Sequence, residues 1–293
     1  MARASVGGRV GWCLLMTAAV CPSAWAQFDL AGEWSAILHE DQEHRIPGPA
    51  LGDYTGLPLN DAGRQKAQSW DASILSQPEQ QANPHPAQYS FRGPGPNLRI
   101  EKILDPVTDA LIGYRTSGTF GRADRTIWLD GRAHPSGYAE HKWEGFSTGV
   151  WVDTMLVVTT THMKMGVIQR NGSPSSPYAV MTERFFRHGE YLTMVSMIDD
   201  PIYLEEPFVR SQTWAWNPPQ HVARAAVFEI VEEVDMPGGW VPHWPLGTEH
   251  RDFAEQVGVP FEATQGGKAT LYPDYRLTLR ELIAAGAAAK PAR

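Results

Sequence analysis

The chain reads as all-β, an antiparallel meander that closes into a barrel. Three observations carry that expectation. From residue 97 onward, short runs alternate apolar and polar residues with period two, as half-buried strands do. Turn dipeptides separate the runs at regular intervals. Proline and glycine are abundant, at 23 and 27 of 293 residues, so turns and irregular loops must be frequent. Closure is expected because a barrel leaves no exposed strand edge.

The N-terminus reads as an export signal. Arg3 and Arg9 supply the positive region, "VGWCLLMTAAV" the apolar region, and Ala24-Trp25-Ala26 the small-residue cleavage pattern. Residues 1–26 are therefore expected to be a signal peptide cut after Ala26, placing the mature chain in the periplasm or outside the cell. Both cysteines, Cys13 and Cys21, fall in that segment. The mature chain then has no disulfide, no catalytic thiolate and no thiolate zinc site. Its net charge moves from −8 to −10, with 23 basic residues against 33 acidic. An acidic chain without a basic patch is a poor nucleic-acid binder, and no later run is long and apolar enough for a transmembrane helix.

Taken in order, "EWSAIL" opens the barrel domain, 27–221. Residues 41–58 read as a loop, and "NDAGRQKAQSW" as a short helix capped by Asn60. A long irregular segment follows, of the kind that forms coverings or lids. "LRIEKI" places Leu98 and Ile100 on one face and Arg99 and Glu101 on the other. "DPVTD" is a turn, then "ALIGYRT" and "RTIWLD" are strands, with Asp130-Gly131 predicting a hairpin. "FSTGVWV" and "MLVVTTTHM" flank a turn at Asp153. "YAVMTERFFR" and "YLTMVSMI" flank "HGE", and "EPFVRSQTWAW" is the last long strand. Roughly eight strands result. Residues 222–293 read as an extension packed on the barrel: a strand at "VFEIVEEV", a helix at "TEHRDFAEQVG" capped by Thr248 and ended by Gly258, and a terminal helix at "LTLRELIAAGAAAK".

Two resemblances add to this. Gly32-x-Trp34 on the first strand of an exported meander resembles the opening of lipocalin-like (calycin) barrels. That resemblance implies a tryptophan closing the barrel base against an arginine from a late strand, with Arg210 as the expected partner. The motifs "LPLNDAGRQKAQSWD", "RGPGPNLRI", "RTIWLDGRAHP", "TTTHMK", "RNGSPSS" and "DDPIYLEEPF" resemble a family of bacterial exported proteins. That second resemblance implies export and carries no catalytic residues.

Candidate chemistry is sparse. No nucleophile elbow, phosphate loop or local zinc spacing is present. Strand "MLVVTTTHM" is apolar at its start and polar at its end on both faces, which predicts a barrel mouth near Thr160 and His162. His162 could be a general base there, or a solvent-facing strand end. In "RTIWLDGRAHP", Asp130 is explained by turn chemistry, while Arg132 and His134 are not. Arg125 or Arg132 could hold an anion and His134 could move a proton. Glu183 and Arg187 flank Phe185 as a buried ion pair or a surface ladder. The acids Asp199, Asp200, Glu205 and Glu206 fit a hairpin turn better than a metal loop, so no metal and no cofactor are expected.

The leading expectation is a carrier that binds a small, largely apolar or aromatic molecule in the barrel. Trp128, Trp151, Thr160, Glu183, Arg187 and Trp214 are the candidate contacts. The first rival is a cofactor-independent lyase, isomerase or hydrolase using His134, His162, Arg132 and Arg125. The second is an envelope interaction module with a filled barrel. A carrier needs a lined cavity. An enzyme needs a histidine and an arginine or acid converging on one point in it.

Overall fold

The computed structural model describes residues 28–37, 48–81, 83–89, 97–118, 124–222, 230 and 237–289. The expected signal peptide and nearly all of "VFEIVEEV" lie outside these. Nine strands form one closed barrel: β1 (Gly32–Ala36), β2 (Leu98–Leu104), β3 (Leu111–Gly118), β4 (Arg125–Trp128), β5 (Phe146–Val152), β6 (Met155–Thr161), β9 (Val180–His188), β10 (Tyr191–Asp199) and β11 (Phe208–Trp216). A two-stranded ribbon of β7 (Gly166–Val167) and β8 (Pro174–Ser175) lies between β6 and β9.

The hairpins follow local chemistry. At the β2–β3 turn the Asp105 carboxylate accepts the amides of Val107 and Thr108, both at 2.9 Å. These bonds hold its pKa below the usual carboxylate range. Asp153 takes positive φ at the β5–β6 turn, as does Gly189 at the β9–β10 turn.

The Asp130-Gly131 hairpin does not form. β4 and β5 are parallel, paired through Ile127 with Ser147 and Trp128 with Thr148. The other eight neighbouring pairs are antiparallel. Ring closure explains the exception. Strands that alternate in direction around a closed ring must be even in number, so a nine-stranded ring must contain a parallel pair. A parallel pair needs a crossover of about a dozen residues or more, and residues 129–145 supply it. Gly131, at φ 77, only starts that crossover.

Alternation puts Trp34, Leu98, Ile100, Tyr114, Ile127, Leu156, Val158, Phe185, Leu192, Met194 and Trp214 in one buried core inside the barrel. Residues 28–31 close one end. There Trp34 and Trp216 meet edge to face at 5.0 Å, and the Trp34 indole donates to the Leu30 carbonyl at 3.0 Å. Gly32 is required at this end, since a Cβ on it would sit 2.0 Å from the Trp216 ring. The arginine over Trp34 is Arg187, at 5.2 Å, not Arg210; Arg187 also covers Trp216 at 5.1 Å. Arg210 lies near the other end, against Phe208, because β11 runs away from the base as its numbers fall.

A second core caps that other end, built from Tyr54, Leu57, Leu59, Met163, Ile168, Met181, Ile198 and Leu204. Helix α1 (Asp61–Gln68) belongs to the cap, and Asn60 accepts the Gly63 amide at 2.8 Å as its N-cap. The C-terminal extension docks on this cap through Trp244 to Ser69 and His250 to Gln68. Its helices are α2 (Asp252–Val257) and α3 (Tyr275–Ala289). Gly258 ends α2 in the left-handed conformation as expected, but the N-cap is Arg251 without a side-chain bond. Thr248 instead bonds back to Pro245. The acids near residue 200 serve as ties. Buried Asp200 accepts the amide and hydroxyl of Ser176 at 2.6 and 2.8 Å, while Glu205 and Glu206 hold Lys268 and Tyr272 of the extension.

Candidate functional site

Inside the barrel, the expected contact residues are occupied by packing. Trp214 is fully buried in the core. Trp151 packs edge to face on Phe28 at 5.2 Å. Thr160 shares a hydrogen bond with Ser147 at 2.8 Å. Glu183 pairs with Arg125 at 2.7 Å, not with Arg187, and both partners are nearly inaccessible, at 4% and 0% exposure. Arg187 belongs to the base. The gap left among Leu30, Ile100, Tyr114, Ile127, Leu156 and Phe185 admits no water molecule.

A larger opening among the described residues lies outside the barrel. Thr126 and Trp128 face outward from β4, and the crossover folds over them. Between crossover and wall is a cleft of about 510 Å³, lined in part by Trp128, Arg132, Glu140, Lys142, Glu144, Phe146 and His162. The Arg132 guanidinium stacks 3.5 Å from the Trp128 ring centroid. Its Nε donates to both Asp130 oxygens, at 2.9 and 3.0 Å. That bond lowers the Asp130 pKa and raises that of Arg132.

His134 and His162 therefore do not meet at a barrel mouth. Both stand on the outer wall, joined through Thr161. His134 Nδ1 lies 2.7 Å from the Thr161 hydroxyl and Nε2 2.8 Å from that of Thr148. His162 Nδ1 lies 2.8 Å from the same Thr161 hydroxyl, and Nε2 2.9 Å from the Ser136 carbonyl. A carbonyl only accepts, so His162 Nε2 carries the proton. With both rings neutral, the direction propagates: Thr161 donates to His162 Nδ1, His134 Nδ1 donates to Thr161, and Thr148 donates to His134 Nε2. Burial, with the nearby His162 second, lowers the His134 pKa.

Thr148, Thr161 and Ser136 are hydrogen-bond partners of these histidines that sequence reading missed. The only local signal was the threonine run before His162, which alternation alone explains. His162 adopts φ 56, an uncommon conformation for a non-glycine residue. It turns the chain at the end of β6 so that the ring reaches the crossover.

No family model, curated protein or solved structure matches this chain.

Proposed function

We propose that the protein binds a small molecule on the outer wall of a filled barrel, in the cleft under the 129–145 crossover. One contrast supports this reading. The interior gap admits no water, while the cleft, at about 510 Å³, falls in the roughly 300–1,000 Å³ range of small-molecule sites. The ligand class follows from the lining. Trp128 and Phe146 offer apolar aromatic surface. Glu140 and Glu144 outnumber Lys142, since Arg132 is already matched by Asp130. A compact aromatic molecule with a basic nitrogen fits that lining. A general base is not part of the proposal, because both ring nitrogens of His134 and of His162 are already engaged.

A thermal-shift panel of aromatic amines, aromatic acids and lipids tests the reading. Binding to the folded state alone raises Tm. Aromatic amines should raise it, and the paired change Glu140→Gln, Glu144→Gln should abolish the rise without altering the unliganded Tm. A panel that shifts nothing refutes the proposal and favours the interaction-module reading, to which the filled interior also lends support.

A further inference from the structure

The crossover is held to the barrel in two chemically different ways. Its returning limb is fixed by backbone. The Lys142 amide donates to the His162 carbonyl and the Lys164 amide to the Lys142 carbonyl, each at 2.9 Å. His141 Nδ1 adds a bond to the Met163 carbonyl at 2.9 Å. The outgoing arm, 131–140, has no backbone bond to the wall among the described residues. Besides the Arg132 stack on Trp128, its side-chain ties to the wall run through imidazoles: His134 to Thr148 and Thr161, and His162 to the Ser136 carbonyl.

We infer that the 131–140 arm is a proton-released flap over the cleft, hinged at 141–142 and latched by the His134–Thr161–His162 chain. The latch stands on hydrogen bonds alone; only its role in admitting a ligand rests on the cleft being a binding site.

The chain closes with both rings neutral or with one of them protonated, and fails at the second proton. A proton on His162 makes Nδ1 a donor to Thr161, whose hydroxyl hydrogen then passes to His134 Nδ1 while His134 Nε2–H donates to Thr148. A proton on His134 aims Nε2–H at the Thr148 hydroxyl, which must rotate. Two protons place two cations on one hydroxyl. Burial and the neighbouring ring already disfavour the charged form of His134. A depressed histidine pKa contributes stability that is complete above the free value of about 6.5 and is lost as pH falls below it. Of the surrounding groups, His162 is the one whose charge acts on His134. β5 and β6 present Thr148, Phe146 and Thr161, all uncharged. On the limbs stand Asp130 with Arg132, then Glu140, His141, Lys142 and Glu144, with Asp124 before β4 and Lys164 beyond β6. The His141 ring is 5.2 Å from that of His162, so a third proton there adds repulsion.

Tyr138, fully exposed at the tip of the arm, reports the motion. A dye on Tyr138→Cys, in a chain with Cys13→Ser and Cys21→Ser, is followed by fluorescence anisotropy without added ligand. Between about pH 7.5 and pH 5, anisotropy should fall in one transition at or below the free histidine pKa, while far-UV circular dichroism stays constant. The paired change His134→Gln, His162→Gln should remove the transition. Flat anisotropy in the parent overturns the inference, as does an unchanged transition in the glutamine variant or one that coincides with loss of the barrel signal. Because no ligand is present, a blank ligand panel leaves this outcome untouched, and a flat titration leaves the panel untouched.

Discussion

Replacing Glu183 by alanine perturbs the one ion pair placed inside the barrel wall among the described residues. The Arg125 and Glu183 side chains are 4% and 0% exposed and 2.7 Å apart. At an effective dielectric of about 20, charges roughly 4 Å apart attract by about 4 kcal/mol. Truncating one partner also takes that attraction from the other, which stays buried, a combination that costs about 3–5 kcal/mol. Total stabilities are only about 5–15 kcal/mol. At about 2–4 °C per kcal/mol for a chain of this size, Tm should fall by roughly 6–20 °C. Urea titration followed by circular dichroism gives the same quantity isothermally. The double replacement Arg125→Met, Glu183→Leu should recover most of the loss, since an apolar pair needs no compensation. A single Glu183→Ala loss under about 1 kcal/mol would refute the reasoning. So would single losses that simply add in the double variant, because contacting charges must couple.

Two further outcomes follow from the same packing. Arg187→Met removes two ring contacts and the bonds to the Asp29 and Gly189 carbonyls. It should cost about 2 kcal/mol and red-shift tryptophan emission, whereas Arg210→Met should leave emission unchanged. Burial pushes Tyr114 up to about 12. A raised tyrosine pKa stabilises the fold fully below the free value of about 10 and is lost as pH rises toward 12. Alkaline unfolding should therefore steepen over that window, and Tyr114→Phe should flatten it by on the order of 2 kcal/mol, measured as urea midpoint against pH.

Much of the wall was legible residue by residue. A strand with one buried face writes its alternation into the chain, so β2, β5, β6, β9, β10 and β11 stand where the pattern places them. The Asn60 cap and the turns at Asp105, Asp153 and Gly189 depend on residues within a few positions. The site was less legible. His134 and Arg132 stood out as unexplained, and both belong to the crossover. Their partners Thr148, Thr161 and Ser136 looked ordinary, because they matter only once the crossover lies against β5 and β6. Placing both histidines at a barrel mouth failed for the same reason: alternation states which residues share a face, not what covers the outside of that face.

By itself the sequence determined strand content, the faces of the strands and the short turns, since these are set by neighbours within a few residues. Tertiary structure decided the rest. Whether Asp130-Gly131 makes a hairpin depends on how many strands close the ring, and nine of them require one parallel step. That step sends residues 129–145 across the outer wall. It opens the cleft beside Trp128 and brings His134 to Thr161. Which arginine covers Trp34 is likewise set by the run of β9 and β11 around the ring, a property of closure that no short stretch of chain encodes.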